Sequence, residues 1–345
     1  MTKKKGRSVG QTVGGVIVGF DQQVFRTTPP PSELVAKAAP LKAVAASGGG
    51  TVTVGLPGDP APPGVVIPGR EPDHLALSAP GVTVRIDLVA GGRVASLVID
   101  GRELLKTEGY GPFAWGSFPM APFAGRIRDA TLTFGGATHR LPIAMPPHAI
   151  HGTVLGRRWH VLGDGGIATD LGPDWPFAGR AIQRFELAAD HLTCRLELHA
   201  DEPMPASIGW HPWFARRLDG VDADLELDLD AGAMYLRDDA GIATNELVVP
   251  PPGPWDDCFT DLRRSPSLRW PGFLELTVES DCPDWVIYTV PEDALCVEPQ
   301  SARPDALNTA PTVVMPDQPL VAEMTWRWRS LAGRGSAAGR GSAAG

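Results

Sequence analysis

Two segments of the chain place a titratable side chain among apolar and aromatic residues. His211 lies in segment 209–214, GWHPWF, and Glu298 lies in segment 295–300, LCVEPQ. A histidine titrates near neutral pH, and a carboxylate in an apolar setting is costly to bury and tends to have a raised pKa. Together they offer a general acid and a general base. Each taken alone also fits a structural role, His211 as a packed core residue and Glu298 as half of an ion pair.

Polar residues suited to binding hydroxyl groups lie in two other segments. Arg126 occurs in segment 122–129, PFAGRIRD, and Asp256 and Asp257 occur in segment 255–259, WDDCF. The guanidinium of Arg126 offers a fork of hydrogen-bond donors, and it is equally able to pair with Asp129. One aspartate of the pair can accept hydrogen bonds from hydroxyls, or both can lie in a solvated turn.

His148 and His151 form an H-x-x-H pattern in segment 146–152, PPHAIHG. Catalytic zinc motifs place two histidines at positions i and i+4 of a helix, whereas the prolines here favour a loop. We therefore predict that these two histidines hold no metal.

Charge and motifs exclude several classes of protein. The 31 Lys and Arg residues against 40 Asp and Glu give a net charge of −9, without a basic stripe that would favour nucleic acid. No apolar run reaches the ~18 residues that a membrane-spanning helix needs. The phosphate-binding loop, the dinucleotide-binding glycine pattern and the nucleophile elbow of serine hydrolases are all missing from the sequence.

The four cysteines and the N-terminal segment bear on the compartment. Cys194, Cys258, Cys282 and Cys296 form no C-x-x-C pair, and four thiols in 345 residues are not a disulfide framework. Three lysines at 3–5 precede an apolar stretch at 13–20, which faintly resembles a secretion signal but is short and lacks a following cleavage site. We predict a cytoplasmic protein.

The middle of the chain has the alternation of apolar and polar residues that is typical of half-buried strands. Such segments are 82–88, 192–199, 224–230, 274–278 and 324–329, and segment 285–290 is continuously apolar, as in a strand buried on both faces. The 40 glycines and 35 prolines predict many turns. Because helical periodicity is missing, the pattern predicts an all-β, antiparallel sandwich or barrel.

Composition divides the chain into three zones. Residues 1–74 are an extension rich in Gly, Pro and Ala with one candidate short helix at 32–39, residues 75–330 are the predicted β domain, and residues 331–345 are a repetitive tail expected to be disordered. About 255 residues suffice for one large core.

Taken in order, the segments around His211 and Glu298 resemble the aldose 1-epimerase (galactose mutarotase) family. Segments 148–152 and 125–127 support the resemblance, which covers residues 80 to 330. It implies a galactose mutarotase-like supersandwich with a broad open cleft, no metal and no cofactor. It further implies a monosaccharide substrate, a free aldose whose α and β anomers interconvert by ring opening and closure.

The resemblance also assigns roles. Glu298 is implied as the general base and His211 as the general acid. Because opening a hemiacetal ring needs both transfers at once, we expect the two groups to lie on opposite sides of the sugar. Arg126 and His151 are implied as ligands of the ring-oxygen region and nearby hydroxyls. Asp256 matches the sugar-binding aspartate better than Asp257, with an ambiguity of one position. Family members often carry Asn where Gly125 stands, and this departure is expected to affect the placement of Arg126 or the choice of sugar.

Three other functions remain open from the sequence. A hexose-6-phosphate epimerase on the same scaffold would need basic residues near the cleft, for which Arg157-Arg158 and Arg216-Arg217 are available. A non-catalytic carbohydrate-binding or sensor protein would need the cleft but not the acid–base pair. A metal-dependent β-sandwich enzyme would use His148 and His151. The oligomeric state and the identity of the preferred sugar are not encoded in any motif.

Overall fold

A computed structural model describes residues 72–331 and, before them, the backbone of residues 51–55. Within these ranges the chain forms two large antiparallel sheets and three two-stranded ones. The predicted all-β sandwich is thereby confirmed. The candidate helix at 32–39 and almost all of the repetitive tail lie outside the described residues. The described part contains no helix long and apolar enough to cross a membrane.

The strands are numbered in chain order. They are β1 (Thr51–Gly55), β2 (His74–Ala79), β3 (Val82–Asp87), β4 (Arg93–Ile99), β5 (Arg102–Glu103), β6 (Ser117–Met120), β7 (Arg126–Ile127), β8 (Thr131–Phe134), β9 (Ala137–Arg140), β10 (Ala149–Ile150), β11 (His160–Val161), β12 (Ile167–Asp170), β13 (Gly179–Leu187), β14 (His191–Ala200), β15 (Met204–Ala206), β16 (Gly209–Ala215), β17 (Glu226–Asp228), β18 (Ala231–Arg237), β19 (Ala243–Val248), β20 (Asp256–Leu262), β21 (Ser267–Trp270), β22 (Leu274–Ser280), β23 (Asp284–Tyr288), β24 (Ala294–Gln300), β25 (Thr312–Val314) and β26 (Leu320–Ser330). A 3-10 turn (Arg128–Ala130) and one short helix, α1 (Ala306–Thr309), complete the described elements.

The order of strands puts β16 and β24, which carry His211 and Glu298, in the middle of the larger sheet. This twelve-stranded sheet, called sheet A, runs β1-β2-β3-β4-β6-β16-β24-β23-β20-β18-β19, with β5 beside β4. The eight-stranded sheet, called sheet B, runs β11-β12-β13-β14-β26-β22-β21-β17. Strands β16 and β24 are therefore neighbours deep inside sheet A, although about 80 residues separate them in sequence.

Strand β16 shows how the two sheets pack. Trp210 and Phe214 point to one face, where the ring of Phe214 contacts Trp326 of sheet B with ring centroids 5.3 Å apart. Both side chains are almost completely buried. Because successive side chains of a strand alternate, the residues between them, His211 and Trp213, lie on the opposite face of sheet A. Strand β16 thus has apolar and aromatic residues on both faces for two reasons. One face packs in the core between the sheets, and the other face forms part of the site.

Two strand predictions need correction. The alternating segment 224–230 forms a strand only over Glu226–Asp228, since it pairs with the short β21 and has no second sheet neighbour among the described strands. The apolar segment 285–290 ends as a strand at Tyr288, and only one of its faces is fully covered. Val286 and Tyr288 are half-buried because they lie on the side of sheet A that carries His211, while Val290 is exposed.

Candidate active site

The candidate site is a block of side chains on the outer face of sheet A. The pairing of β16 with β24 places Gly209 opposite Gln300 and Trp213 opposite Cys296, so His211 falls opposite Glu298. On the other side of β16, Phe118 of β6 lies opposite His211. Directly opposite residues on neighbouring strands have Cβ atoms about 5 Å apart. Sheet register alone therefore brings His211 and Glu298 together.

The two titratable groups are in contact. Nε2 of His211 lies 3.3 Å from Oε1 of Glu298, and both side chains are buried. The expectation that they stand on opposite sides of a sugar ring is therefore wrong for this structure, because a ring does not fit between them. They are side by side on one surface, and a ligand must approach both from the same direction.

A second row of side chains continues the site. Trp213, Cys296, Tyr288 and Asp256 lie opposite one another in turn across β16, β24, β23 and β20. The ring of Trp213 stacks on His211 with an interplanar angle of 7° and centroids 5.3 Å apart. Tyr288 meets Trp213 edge-on at 5.8 Å. Aromatic rings thus border the acid–base pair on one side, and a carboxylate ends the row.

Arg126 and His151 enter from a two-stranded ribbon, β7 paired with β10. The backbone N–H of His151 donates to the carbonyl of Gly125 at 2.9 Å, which ties the two segments together. The ring of His151 lies edge-on to His211, with centroids 4.9 Å apart. The structure thus brings Arg126, His151, His211, Asp256 and Glu298 to one region.

Two glycines explain the shape of this ribbon. Gly152 follows His151 with φ +81°, and a Cβ there would lie 1.9 Å from the carbonyl oxygen of Ala121. Gly125 precedes Arg126 with φ +66°, a value that glycine and asparagine tolerate best. A Cβ at position 125 would also lie 2.7 Å from the ring of Pro304. The glycine found where the family often has asparagine therefore suits a close contact in this chain.

The two adjacent aspartates have different partners. Oδ2 of Asp256 lies 3.7 Å from a terminal nitrogen of Arg126 and 3.1 Å from one of Arg237. Asp257 instead pairs through Oδ1 with Nε of Arg237 at 2.8 Å. Asp256 is thus the aspartate next to Arg126, and Arg237 braces both carboxylates.

Burial dominates the electrostatics of the pair. It raises the pKa of Glu298 well above its usual value, and the charge of Asp256 raises it further, whereas Gln300 and Arg126 oppose the rise. Burial, together with the charge of Arg93, lowers the pKa of His211 to about 3. The pKa of His151 falls well below its usual value because of burial, His211 and Arg126. These directions favour an uncharged pair, in which one proton resides on Glu298.

His148 is structural. Its Nδ1 accepts a hydrogen bond from the backbone N–H of Asp129 at 3.0 Å, and its Nε2 lies 3.3 Å from the carbonyl of Ala240. With both ring nitrogens facing the backbone, His148 has no free ligand atom to offer a metal next to His151. His148 therefore holds the segment before β10 against the turn between β18 and β19.

Three other side chains have ligand atoms at metal-binding spacing. The donors of His211, Cys296 and Glu298 all lie within 4.8 Å of one another. Nδ1 of His211 has no hydrogen-bond partner within the described residues, whereas a metal-bound histidine normally donates its second N–H. Burial raises the pKa of the Cys296 thiol well above its usual value, which disfavours the thiolate that binds metals. These features fit a proton-transfer pair better than a metal centre.

Sequence reasoning missed three polar residues that support the site. Gln300 donates from Nε2 to Oε2 of Glu298 at 3.3 Å, Arg237 braces Asp256, and Arg93 is buried behind Phe118. Gln300 lies two positions after Glu298, so strand alternation places it on the same face. Segment 91–95, GGRVA, embeds Arg93 among glycines and apolar residues, the same signal that drew attention to His211.

The fold and the site together define a galactose mutarotase-like β-sandwich with an imidazole and a carboxyl group in contact on its central strands. The chain belongs to the aldose 1-epimerase family, whose model matches residues 73–327. No curated protein matches the chain.

Solved structures show the same fold at low identity. A galactose mutarotase-like protein from Clostridium acetobutylicum is 17% identical with a TM-score of 0.66, over 77% of this chain and 98% of that one. Galactose 1-epimerase from Lactobacillus acidophilus NCFM is 16% identical with a TM-score of 0.64, over 82% of this chain and 99% of that one. Identities this low support the shared fold, while activity and substrate need an argument from the site.

Proposed function

We propose that the protein is an aldose 1-epimerase that interconverts the α and β anomers of a free aldose. The observation that carries the proposal is the contact between Nε2 of His211 and Oε1 of Glu298 at 3.3 Å on the outer face of sheet A. A buried acid–base pair beside aromatic rings and hydroxyl-binding side chains suits proton transfer on a sugar.

The side-by-side arrangement matches the chemistry of a hemiacetal. Ring opening removes the proton from the C1 hydroxyl and adds a proton to the ring oxygen, and both oxygens are bonded to the same carbon. Two adjacent groups can therefore reach both atoms from one direction. Glu298 takes the C1 proton, His211 protonates the ring oxygen, and the bond between C1 and the ring oxygen breaks to give the aldehyde. Rotation about C1–C2 and the reverse transfers close the other anomer.

This cycle requires one proton on the pair. Before binding, burial favours that proton on Glu298. Transfer of the proton to His211 creates the carboxylate and the imidazolium that act as base and acid. The charge of Arg126, which opposes the raised pKa of Glu298, supports the carboxylate form. After ring opening the pair is again uncharged, so closure begins from the state that burial favours.

Arg126, His151 and Asp256 are the proposed substrate ligands. The Arg126 side chain retains 24% exposure and that of Asp256 retains 34%, so both present polar atoms to the solvent side of the site. Nδ1 of His151 is buried and has no partner within the described residues. The rings of Trp213 and Tyr288 border the site beside these ligands. These groups hold the sugar while C1 turns.

The basic pairs considered for a phosphate are already engaged. Arg157 pairs with Asp170, Arg158 with Asp73 and Arg217 with Asp224. Arg216 donates to the carbonyls of Pro291 and Thr289. This supports a free aldose over a hexose 6-phosphate. All four cysteines are buried and unpaired, which supports the proposed cytoplasmic location.

Polarimetry on freshly dissolved α-glucose and α-galactose tests the function directly. We expect the optical rotation to decay in proportion to enzyme concentration, well above the buffer rate. Competition by glucose 6-phosphate distinguishes an epimerase of phosphorylated hexoses from an epimerase of free aldoses. Sugar binding in a calorimeter without faster decay of rotation would falsify the catalytic proposal and select the binding protein.

Replacing Asp256 with Asn tests which aspartate meets the sugar. A hydrogen bond to a charged group contributes about 1.5–3 kcal/mol, so KM should rise on the order of tenfold or more with a smaller change in kcat. Asp257→Asn is the matched control, because that carboxylate pairs with Arg237 and is not the one next to Arg126. Initial rates over a range of sugar concentrations measure both constants. An equal rise of KM in both variants would contradict the assignment of Asp256.

A further inference from the structure

A buried arginine lies next to the site, with Asp87 opposite it in the pairing of β3 with β4. Arg93, the first residue of β4, is 1% exposed. Its Nε, Nη1 and Nη2 donate to the carbonyls of Ala90, Trp115 and Pro112 at 2.7, 2.8 and 2.8 Å. No ion pair within the described residues includes it. Three neutral carbonyls thus satisfy its donors, but none of them neutralises its charge.

Aromatic rings connect this charge to the acid–base pair. The guanidinium carbon of Arg93 lies 4.0 Å from the centroid of the Trp115 ring and 5.2 Å from that of Phe118. The ring of Phe118 in turn lies 4.8 Å from that of His211. The charge and the imidazole are therefore at most about 10 Å apart across one aromatic ring, a distance at which a charge in a protein changes a pKa by about one unit.

Burying a cation in this way is expensive, and an apolar side chain of similar volume is often at least as stable. Burial, partly offset by the charge of Asp87, lowers the pKa of Arg93 to about 9, so the side chain is still a cation at neutral pH. The hydrogen bonds from Arg93 to the carbonyls of Pro112 and Trp115, here called the clamp, give one reason why an arginine stands at this position. They hold the loop that carries Phe113, whose ring is 6.0 Å from that of His151. The clamp needs hydrogen-bond donors, but it does not need a charge.

We propose that Arg93 is a positioning residue whose charge, acting across the ring of Phe118, sets how the shared proton is divided between His211 and Glu298. The other charged or titratable groups around His211 are Glu298 on β24, His151 on the ribbon loop and Lys106 over the ring of Trp213. Arg126 and Asp256 act on Glu298 from the far end. Among these groups Arg93 is the buried cation on the β6 side, and it disfavours the imidazolium. The proposal rests on the proposed function but is measurable without it.

The test reads the two protonation states directly. Wild type, Arg93→Met, Arg93→Gln and Arg93→Lys are compared by ¹⁵N NMR of the His211 imidazole and ¹³C NMR of the Glu298 carboxyl group, assigned with His211→Asn and Glu298→Gln. Removal of the charge in the Met and Gln variants should move the proton about tenfold toward His211. The Lys variant, compared at a pH low enough to keep the buried ammonium protonated, keeps the charge and should resemble wild type. The Gln variant retains donors for the carbonyl clamp, so it covers the case in which the Met variant does not fold.

Arg303→Met is the matched control, since Arg303 is also buried, also donates to backbone carbonyls and also lies near an aromatic ring, that of Tyr235. It should lower the melting temperature without changing either signal. Folded Met and Gln variants whose His211 and Glu298 signals match wild type would overturn the proposal and leave Arg93 a loop clamp. Changed signals in a protein that shows no mutarotation would contradict the proposed function instead.

Discussion

Glu298→Gln should reduce kcat for mutarotation by ~10²–10⁴, the usual contribution of one positioned proton transfer. The substitution keeps the size of the side chain and its place opposite His211, but an amide cannot accept the C1 proton. KM should change much less, because the proposed sugar ligands Arg126, His151 and Asp256 remain. Polarimetry at saturating sugar gives kcat, and thermal unfolding monitors the fold.

Asp284→Asn is the control for removing a buried carboxyl group as such. Asp284 begins β23, lies opposite Gln300, and has a raised pKa because of burial. Its Oδ1 accepts a hydrogen bond from the hydroxyl of Tyr235 at 3.0 Å. We expect this variant to lose stability and to keep kcat within a few-fold of wild type. A Glu298→Gln enzyme with near-normal kcat would show that another group is the base.

The sequence contained enough to predict the sandwich because many of its strands bury only one face. In β14 the apolar Leu192, Cys194, Leu196 and Leu198 are buried while the residues that alternate with them are partly exposed, which is the alternation that the sequence shows. Segment 285–290 was harder, since apolar residues there serve two surfaces. Val286 and Tyr288 line the site, so their apolar character reflects a ligand-facing wall rather than a second packed layer.

The sequence could supply candidate residues for the site, but it could not supply their geometry. Glu298 and His211 are 87 positions apart, and only the pairing of β16 with β24 makes them direct neighbours. A single sequence carries no information on that register, so the contact at 3.3 Å between them could not be foreseen. The different ion pairs of Asp256 and Asp257 could not be foreseen either, because they also depend on Arg237, which lies on another strand, β18.

Buried polar residues without a motif are the hardest to predict. Arg93 stands among glycines and apolar residues, but this signal is weak on its own because arginine is common on surfaces. Its role becomes visible only when Trp115 and Phe118 close over the guanidinium. A charged residue that lies beside a site rather than within it is hard to predict from motif spacing or composition.

His211→Asn should lower kcat about as much as Glu298→Gln, by ~10²–10⁴, because the ring oxygen then lacks its proton donor. The pair shares one proton and works as a unit, so the losses should not multiply. We expect the kcat of the double variant to lie within about tenfold of the kcat of the less active single variant, as for other catalytic groups that act together. Independent contributions would instead give the product of the two losses, which polarimetry at high enzyme concentration distinguishes easily.

His148→Asn supplies the matched histidine control for that experiment. The ring of His148 is as deeply buried as that of His211, yet both of its nitrogens face backbone atoms of Asp129 and Ala240. Its replacement should lower the melting temperature and leave kcat within a few-fold of wild type. If His148→Asn instead lost as much kcat as His211→Asn, the loss in both would reflect a disturbed ribbon. The imidazole opposite Glu298 could then no longer be taken as the proton donor.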